Sequence, residues 1–512
     1  MESQNIVPTI LAEILEKKQS KPLRINTRTT PLNPPNLDST LIIAEIKRAS
    51  PSAGNIGEIA NPKVLAESYL QGGAGAISVL CEQDYFKGDL EDLREVKESH
   101  KEACVLRKDF ITKQEQIAES YGFGADMVLL IAAVFVGQKN PYGGFGQLQR
   151  LYEECLKFGL TPLIEVHNAQ EVDFIAPLQA KFIGVNSRNL HTFVIDRIQA
   201  YNLIEKIQAQ NPQSKVIFES SLNCDFDGFV VGNLGFNGIL CGSYLVRNQT
   251  PRVALENLKK ALECGKKDSN VFYKNAFKLL DLPLGFVKIC GITNVEDALM
   301  CAESLQELAI KGVECQAKEQ KIAALGFIIE PNSPRFVAIE EIKRITKELE
   351  RFPNILKVVV LKDDERQMKS ALKLYREGIV DALQLHGITK AGWFGGVELR
   401  GANFAFYEVW NVESAEDLGE FVSPFVLLDS KSALGGGSGR KIDNKALESL
   451  MKKAQYLCVA GGVGIENVES LKKIGAKMLD INSSIESEPG KKDFAKLQSL
   501  IVKLKTLGES LE

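Results

Sequence analysis

LIIAEIKRASPSAG, residues 41–54, begins as an apolar run, Leu41 to Ala44 and on to Ile46, of the kind that forms a buried strand. Glu45 and Lys47 interrupt it. Two residues apart, they share one face of a strand. Burying a carboxylate and an ammonium is costly unless each is paired. An acid and a base at the end of an apolar strand, just before a Ser-Pro-Ser-Ala-Gly turn, mark a place where something needs both.

The pattern of this strand recurs along the chain. The first half reads as eight apolar runs: 41–47, 76–81, 103–108, 126–132, 160–166, 181–186, 215–220 and 238–242. The second half gives eight more: 286–290, 323–329, 356–361, 380–385, 403–409, 424–429, 456–461 and 476–481. Amphipathic stretches such as KVLAESYLQGG (63–73) lie between them. Doubly buried strands alternating with helices imply a parallel sheet. Eight units in roughly 250 residues is the count of a closed (β/α)8 barrel. The expected fold is therefore α/β, two tandem (β/α)8 TIM barrels: 1–264 with an extra N-terminal helix, a linker over 265–285, and 286–512. An open doubly wound sheet is the rival, but no GxGxxG turn follows an early strand.

Bulk properties agree. The 512 residues suit about three ordinary domains or two of barrel size. A net charge of −4 gives no reason to expect nucleic acid, and no apolar run approaches a membrane span. The first residues, MESQNIVPTILAEILEKK, are too charged for a signal peptide and read as an amphipathic helix with Ile10, Leu11, Ile14 and Leu15 on one side. Ten cysteines without a CxxC pair argue against zinc ribbons and disulfide frameworks, and fit a reducing cytoplasm. The four histidines are scattered, so no metal site is expected. Acid–base work falls to Lys, Glu, Asp and Cys. The expectation is a cytoplasmic monomer acting on small phosphorylated molecules, with no cofactor, nucleic acid or membrane partner.

In a parallel barrel, chemistry gathers where strands end. The first half ends its strands in Glu45 with Lys47, Lys108, Glu165, Asn186, Glu219, and Gly242 with Ser243. One such charge is ordinarily a satisfied structural ion pair. Five converging on one mouth are not explained that way. The second half shows Cys290-Gly291, Arg335, Gln384 and His386, Asp429, Gly461-Gly462 and Asp480. Both halves place small residues after strands seven and eight, ESS and CGS in one, AGGVG and NSS in the other. Exposed backbone N–H groups there bind phosphate.

EIKRASPSAG, ISVLCEQDYFKG, LRKDFI, LIEVH and VNSRNL resemble indole-3-glycerol phosphate synthase, in order and at family spacing. VKICGITNVEDA, LGFIIEPNSPRFV, ALQLHG, LLDSKSALGGGSGRKID, VAGGVGIENV and LDINSSIESEPGKKD resemble phosphoribosylanthranilate isomerase. The order resembles the fused bifunctional enzymes of tryptophan biosynthesis. In the synthase half, the resemblance implies that Lys108 is the general acid of ring closure and that Lys47 holds the substrate carboxylate and assists proton transfer. Glu165 would serve dehydration, Glu45 and Glu219 would bond the lysines and sugar hydroxyls, and Asn186 would orient the substrate. Ser50, Ser220, Gly242 and Ser243 would cradle phosphate. In the isomerase half, Asp429 would be the acid that opens the ribose ring and Cys290 the base that removes the C2′ proton, in a cationic setting that favours thiolate. Arg335 would grip the anthranilate carboxylate, and Gly461, Gly462, Ser483 and Ser484 the phosphate. His386 would pack beneath the site.

Four departures stand out. Ser220 is followed by Ser221 and Leu222 where the synthase family has Gly-Ile. The stretch 223–235 lacks a clear amphipathic helix. Glu408 stands where many isomerases carry a lysine near the end of strand five, and Ser484 where glycine is common. The competing class, a sugar-phosphate sensor, would need the phosphate loops but not Lys108, Glu165, Cys290 and Asp429.

Overall fold

The computed structural model describes residues 10–51, 54–137, 140–190, 194–308, 322–388, 391–430 and 442–511. The central part of the LLDSKSALGGGSGRKID motif lies outside them. The chain divides into two compact units, Met1–Asp268 and Ser269–Glu512.

In the first unit eight parallel strands close into a barrel: Leu41–Ile46, Ala76–Leu80, Val105–Lys108, Met127–Ile131, Thr161–Val166, Phe182–Asn186, Lys215–Glu219 and Gly238–Cys241. Closure is made by the first strand, which pairs Ile43 with Ala76 on one side and Leu41 with Gly238 on the other. Every residue of that strand is buried, so both of its faces are covered, as in a sheet flanked by helices. The N-terminal helix, Ile10–Gln19, buries Leu11, Ile14 and Leu15. The chain after it is tied down by Asp126, a fully buried carboxylate. Asp126 accepts hydrogen bonds from Lys97 Nζ (2.8 Å), Arg28 Nη2 (2.6 Å) and the Val105 and Asn33 amides.

The stretch 223–235 is a helix after all, Asp225–Asn233. It lacks an amphipathic pattern because it has no wet face: Phe226 through Gly232 are all buried. Helix Pro251–Lys267 covers its outer side through glycines. A Cβ on Gly232 would stand 2.2 Å from the Leu262 carbonyl oxygen, and one on Gly265 2.0 Å from that of Phe229.

The second unit closes a barrel from Phe286–Ile289, Ala323–Ile328, Ile355–Lys362, Ala382–His386, Phe406–Val412, Val426–Ser430, Cys458–Val459 and Met478–Ile481. The linker stretch 265–285 carries helix at both its start and its middle. Its first residues end helix Pro251–Lys267, and Phe272–Asp281 is a helix built into the second unit. The Phe272 ring stacks on Tyr407 at 5.9 Å, and Tyr273 Oη donates to the Phe406 carbonyl (2.6 Å) while accepting the Phe406 amide (3.0 Å). Tyr273 thereby caps the start of the fifth strand, which runs three residues later than its apolar pattern suggests.

Candidate active sites

The mouth of the first barrel is a cavity of about 270 Å3. Glu45, Lys47, Lys108, Glu165, Asn186, Glu219, Ser220, Gly242 and Ser243 all line it. Ser50 does not. It pairs with Gly54 in a small hairpin beside the mouth. Lys47 Nζ meets Glu45 Oε1 at 2.6 Å, so the acid and base of the opening stretch neutralise each other. Lys108 Nζ stands 2.9 Å from Glu165 and 3.4 Å from Glu219. Burial works to lower the Lys108 ammonium, but Glu165, Glu219 and Glu45 outweigh it, and its pKa rises. Burial works to raise Glu165, and Lys108 with His167 overcomes it, leaving this carboxyl below its usual range. Glu219 is pushed well above the usual carboxylate range by burial, which Lys108 only partly opposes, and by Glu165. The two neighbouring carboxyls are thus pushed in opposite directions, the division of labour expected of an acid–base site.

Glycine makes room for this arrangement. A Cβ on Gly184, in the sixth strand, would lie 1.9 Å from Glu219 Oε1. Gly184→Ala should therefore swing the Glu219 carboxyl out of the mouth and cost about 1–3 kcal/mol of stability through overpacking. The expected readout is a synthase kcat reduced about tenfold or more. A crystal structure of the variant with Glu219 unmoved would contradict this.

The family's glycine after Ser220 is absent, and the backbone nevertheless keeps a glycine-like path. Ser220 and Ser221 have φ of +71° and +55°. Ser221 Oγ is held 2.8 Å from Ser187 Oγ, a bond to the end of the neighbouring sixth strand that helps fix this left-handed turn. Arg188, Asn223 and Arg247 also line the mouth. Arg188 lies in the VNSRNL motif, where Asn186 Oδ1 accepts its backbone amide (3.0 Å). The N-terminal helix reaches the rim, since Lys18 pairs with Asp109, the residue after Lys108.

The mouth of the second barrel is a cavity of about 410 Å3 lined by Cys290, Arg335, Lys362, Gln384, His386, Asp429, Gly461, Gly462, Asp480 and Ser483, among others. Ser484 is outside that lining and donates to the Val463 carbonyl (2.6 Å). Arg335 is present but already engaged, with Nε and Nη2 forked onto Glu486 at 2.6–3.0 Å. Glu408 does not face the mouth. It is the third residue of its strand, fully buried, and its Oε2 accepts the Val422 and Ser423 amides and the Ser423 hydroxyl. It is therefore no counterpart of a binding lysine.

Beneath the mouth lies Lys288, wholly buried and paired with Asp480 at 2.9 Å. It also hydrogen-bonds Cys290. Gly326 leaves space for both: a Cβ there would stand 2.9 Å from Cys290 Sγ and from Lys288 Nζ. The expected cationic setting of Cys290 is thus real, yet burial outweighs Lys288 and Lys492, and the thiol is pushed up rather than down. Asp429 is raised to about 6 by burial, with Asp480 adding to it against the Ser430 amide. Burial, Lys288 and Lys362 lower His386 to about 3, so its imidazole is neutral and hydrogen-bonds Gln384 (2.8 Å).

Lys288, Lys362 and His167 were not singled out from sequence. Lys288 carried a readable signal, a charge inside the apolar run FVKIC of the same kind that drew attention to Glu45. Lys362 and His167 sit at strand ends, where that same rule applies.

Two closed parallel barrels, each with acid–base groups and small-residue loops at the ends of its strands, define a tandem (β/α)8 enzyme. Residues 11–258 match the family model of indole-3-glycerol phosphate synthase, and 302–503 that of N-(5′-phosphoribosyl)anthranilate isomerase. The chain belongs to the indole-3-glycerol phosphate synthase family and carries, behind that domain, one of the isomerase family. Cys290 lies ahead of the second match, so its place rests on the geometry above. The synthase of Streptomyces coelicolor is 39% identical over 44% of this chain and 80% of its own length. The tryptophan biosynthesis protein TrpCF of Helicobacter pylori is 28% identical over 97% of both chains. A multifunctional tryptophan biosynthesis protein of Phycomyces blakesleeanus is 28% identical over 92% of this chain, which spans 63% of that protein's length.

Proposed function

We infer that the chain catalyses two consecutive steps of tryptophan biosynthesis. The C-terminal barrel isomerises N-(5-phosphoribosyl)anthranilate to 1-(2-carboxyphenylamino)-1-deoxyribulose 5-phosphate. The N-terminal barrel closes that product to indole-3-glycerol phosphate, releasing CO2 and water. The observation that carries this reading is the separate acid–base set in each mouth, Lys108 between two glutamates in one and Cys290 with Asp429 in the other.

In the isomerase, the Asp429 proton goes to the ribose ring oxygen as the C1′–O bond opens. Cys290 then takes the C2′ proton, and the resulting enol becomes the ketone. Lys288 lowers the cost of the thiolate at the moment it forms. With two Arg335 nitrogens already bound to Glu486, Lys362 is a second cation for the anthranilate carboxylate, and Gly461, Gly462 and Ser483 take the phosphate. In the synthase, Lys108 protonates the ketone oxygen as the ring closes and Lys47 holds the carboxylate that leaves as CO2. Glu165 and Glu219 serve dehydration. Ser220, Gly242 and Ser243 hold phosphate through their amides. No described helix is long and apolar enough to cross a membrane, and the nine described cysteines are free thiols. We place the enzyme in the cytoplasm, as a monomer.

The isomerase pKa values are crossed: the acid, near 6, titrates below the base, whose thiol is raised. The active form holds protonated Asp429 and Cys290 thiolate. Below about pH 6, Asp429 is already protonated and thiolate falls tenfold per unit, so kcat/KM falls. Between the two pKa values the opposing trends cancel into a plateau. Purified full chain given N-(5-phosphoribosyl)anthranilate should yield indole-3-glycerol phosphate, with an isomerase acid limb near the Asp429 value of about 6. No conversion would refute the function. An acid limb several units away would refute the assigned pair.

A further inference from the structure

Within the synthase reading, we propose that His167 is a positioning residue that selects Glu165, rather than Glu219, as the ionised carboxylate beside Lys108. His167 follows Glu165 by two residues as the chain leaves the fifth strand. Its Nε2 lies 3.2 Å from Glu165 Oε1, and its Nδ1 lies 2.9 Å from Glu171 Oε2. Glu171 also accepts the His167 amide (2.9 Å) and the Asn168 side chain (2.7 Å), which fixes the turn that carries the imidazole. All three side chains of this relay are buried.

The need for such a residue follows from the mouth itself. Glu165 and Glu219 compete for one ammonium, Lys108 Nζ, at 2.9 and 3.4 Å. Glu45 is already matched by Lys47. Lys108 alone therefore distinguishes the two glutamates only weakly. His167 and Lys108 approach different oxygens of Glu165, the lysine Oε2 and the imidazole Oε1. Glu219 instead hydrogen-bonds Glu165, a contact that raises it further. Burial acts to lower His167, but Glu165 and Glu171 hold it up at about 10, so it is an imidazolium at neutral pH. The groups facing Glu165 are then Lys108 from the third strand, Glu219 from the seventh, Glu45 from the first, and His167 with Glu171 behind it. Without the imidazolium, the proton is shared between the two carboxyls, and part of the enzyme carries it on the wrong one.

The test uses the full chain with 1-(2-carboxyphenylamino)-1-deoxyribulose 5-phosphate as substrate. His167→Gln keeps an N–H donor toward Glu165 and removes the charge. The double variant His167→Gln/Glu171→Gln also removes the counter-charge, so that no unpaired carboxylate is left buried and the fold is preserved. Both should lower synthase kcat about tenfold or more. Both should leave KM within about twofold. Both should move the acid limb of kcat upward by about one pH unit, because Glu165 becomes easier to protonate. A folded double variant with wild-type kcat and an unmoved limb, or with a change in KM alone, overturns the proposal. A wild-type chain that forms no indole-3-glycerol phosphate overturns the synthase reading, and this proposal with it.

Discussion

Lys108→Ala should abolish formation of indole-3-glycerol phosphate while the same chain continues to isomerise phosphoribosylanthranilate at close to its normal rate. The lysine does two things at once. It supplies the proton of ring closure, a role whose loss alone costs roughly 10^2–10^4-fold. It is also the shared cation of Glu165 and Glu219. Without it, two buried carboxyls face each other with only His167 beside one of them, and Glu165 loses the strongest influence holding it ionised. The second loss compounds the first, because dehydration then lacks its base. Removing one partner of a buried ion pair costs about 3–5 kcal/mol in general. Lys108 is partly open to the mouth, with its side chain 14% exposed, so a smaller penalty is expected and the barrel should still fold. Steady-state assays of each half-reaction, with a thermal melt of the variant, check this. Residual synthase activity within about tenfold of wild type would remove Lys108 from the acid role.

How far this was legible in the sequence depends on which physical rule a residue obeys. Sixteen barrel strands could be read because each is a short, largely apolar run, and the runs alternate with amphipathic helices. The fifth strand of the second unit was misplaced by three residues for a specific reason. Asn403, Phe404 and Ala405 continue the apolar pattern, but the strand begins at Phe406, where Tyr273 caps it. That shift moved Glu408 from an apparent strand end to a buried strand interior. Helix Asp225–Asn233 was missed for the opposite reason, since periodicity needs a wet face and this helix has none.

The sites were legible wherever a polar residue closed an apolar strand. That rule found Glu45, Lys47, Lys108, Glu165, Asn186 and Glu219, and the structure gathers all six in one cavity. It was not applied to Lys288, which lies one turn of the pleat beneath Cys290 and needs Asp480, almost two hundred residues away, as its partner. Pairing across a closed barrel brings the first strand against the last, and nothing in local sequence announces which charge meets which. The engagement of Arg335 by Glu486 was hidden in the same way.

Cys290→Ser separates a base from a packing residue. The replacement is slightly smaller, and Gly326 leaves open space beside it, so nothing clashes. Lys288 keeps Asp480 as its counter-ion, so no buried charge is orphaned. A packing cysteine would therefore tolerate serine with little change. A base cannot. Burial already pushes the thiol above its ordinary value, and only a small fraction is thiolate at neutral pH. A hydroxyl in the same place is far less acidic, and its alkoxide is scarcer by many powers of ten. Isomerase kcat should fall by about 10^2–10^4-fold, and the synthase should be unaffected. Alkylation gives an independent reading. Cys290 should react slowly at neutral pH and faster as the solution becomes more alkaline, with substrate protecting it. His386 is a rival base lining the mouth, and at about 3 its imidazole is too weakly basic to take a carbon-bound proton readily. A serine variant with undiminished isomerase activity would transfer the role to His386 despite that weakness, and His386→Gln would then have to show the loss that Cys290→Ser did not.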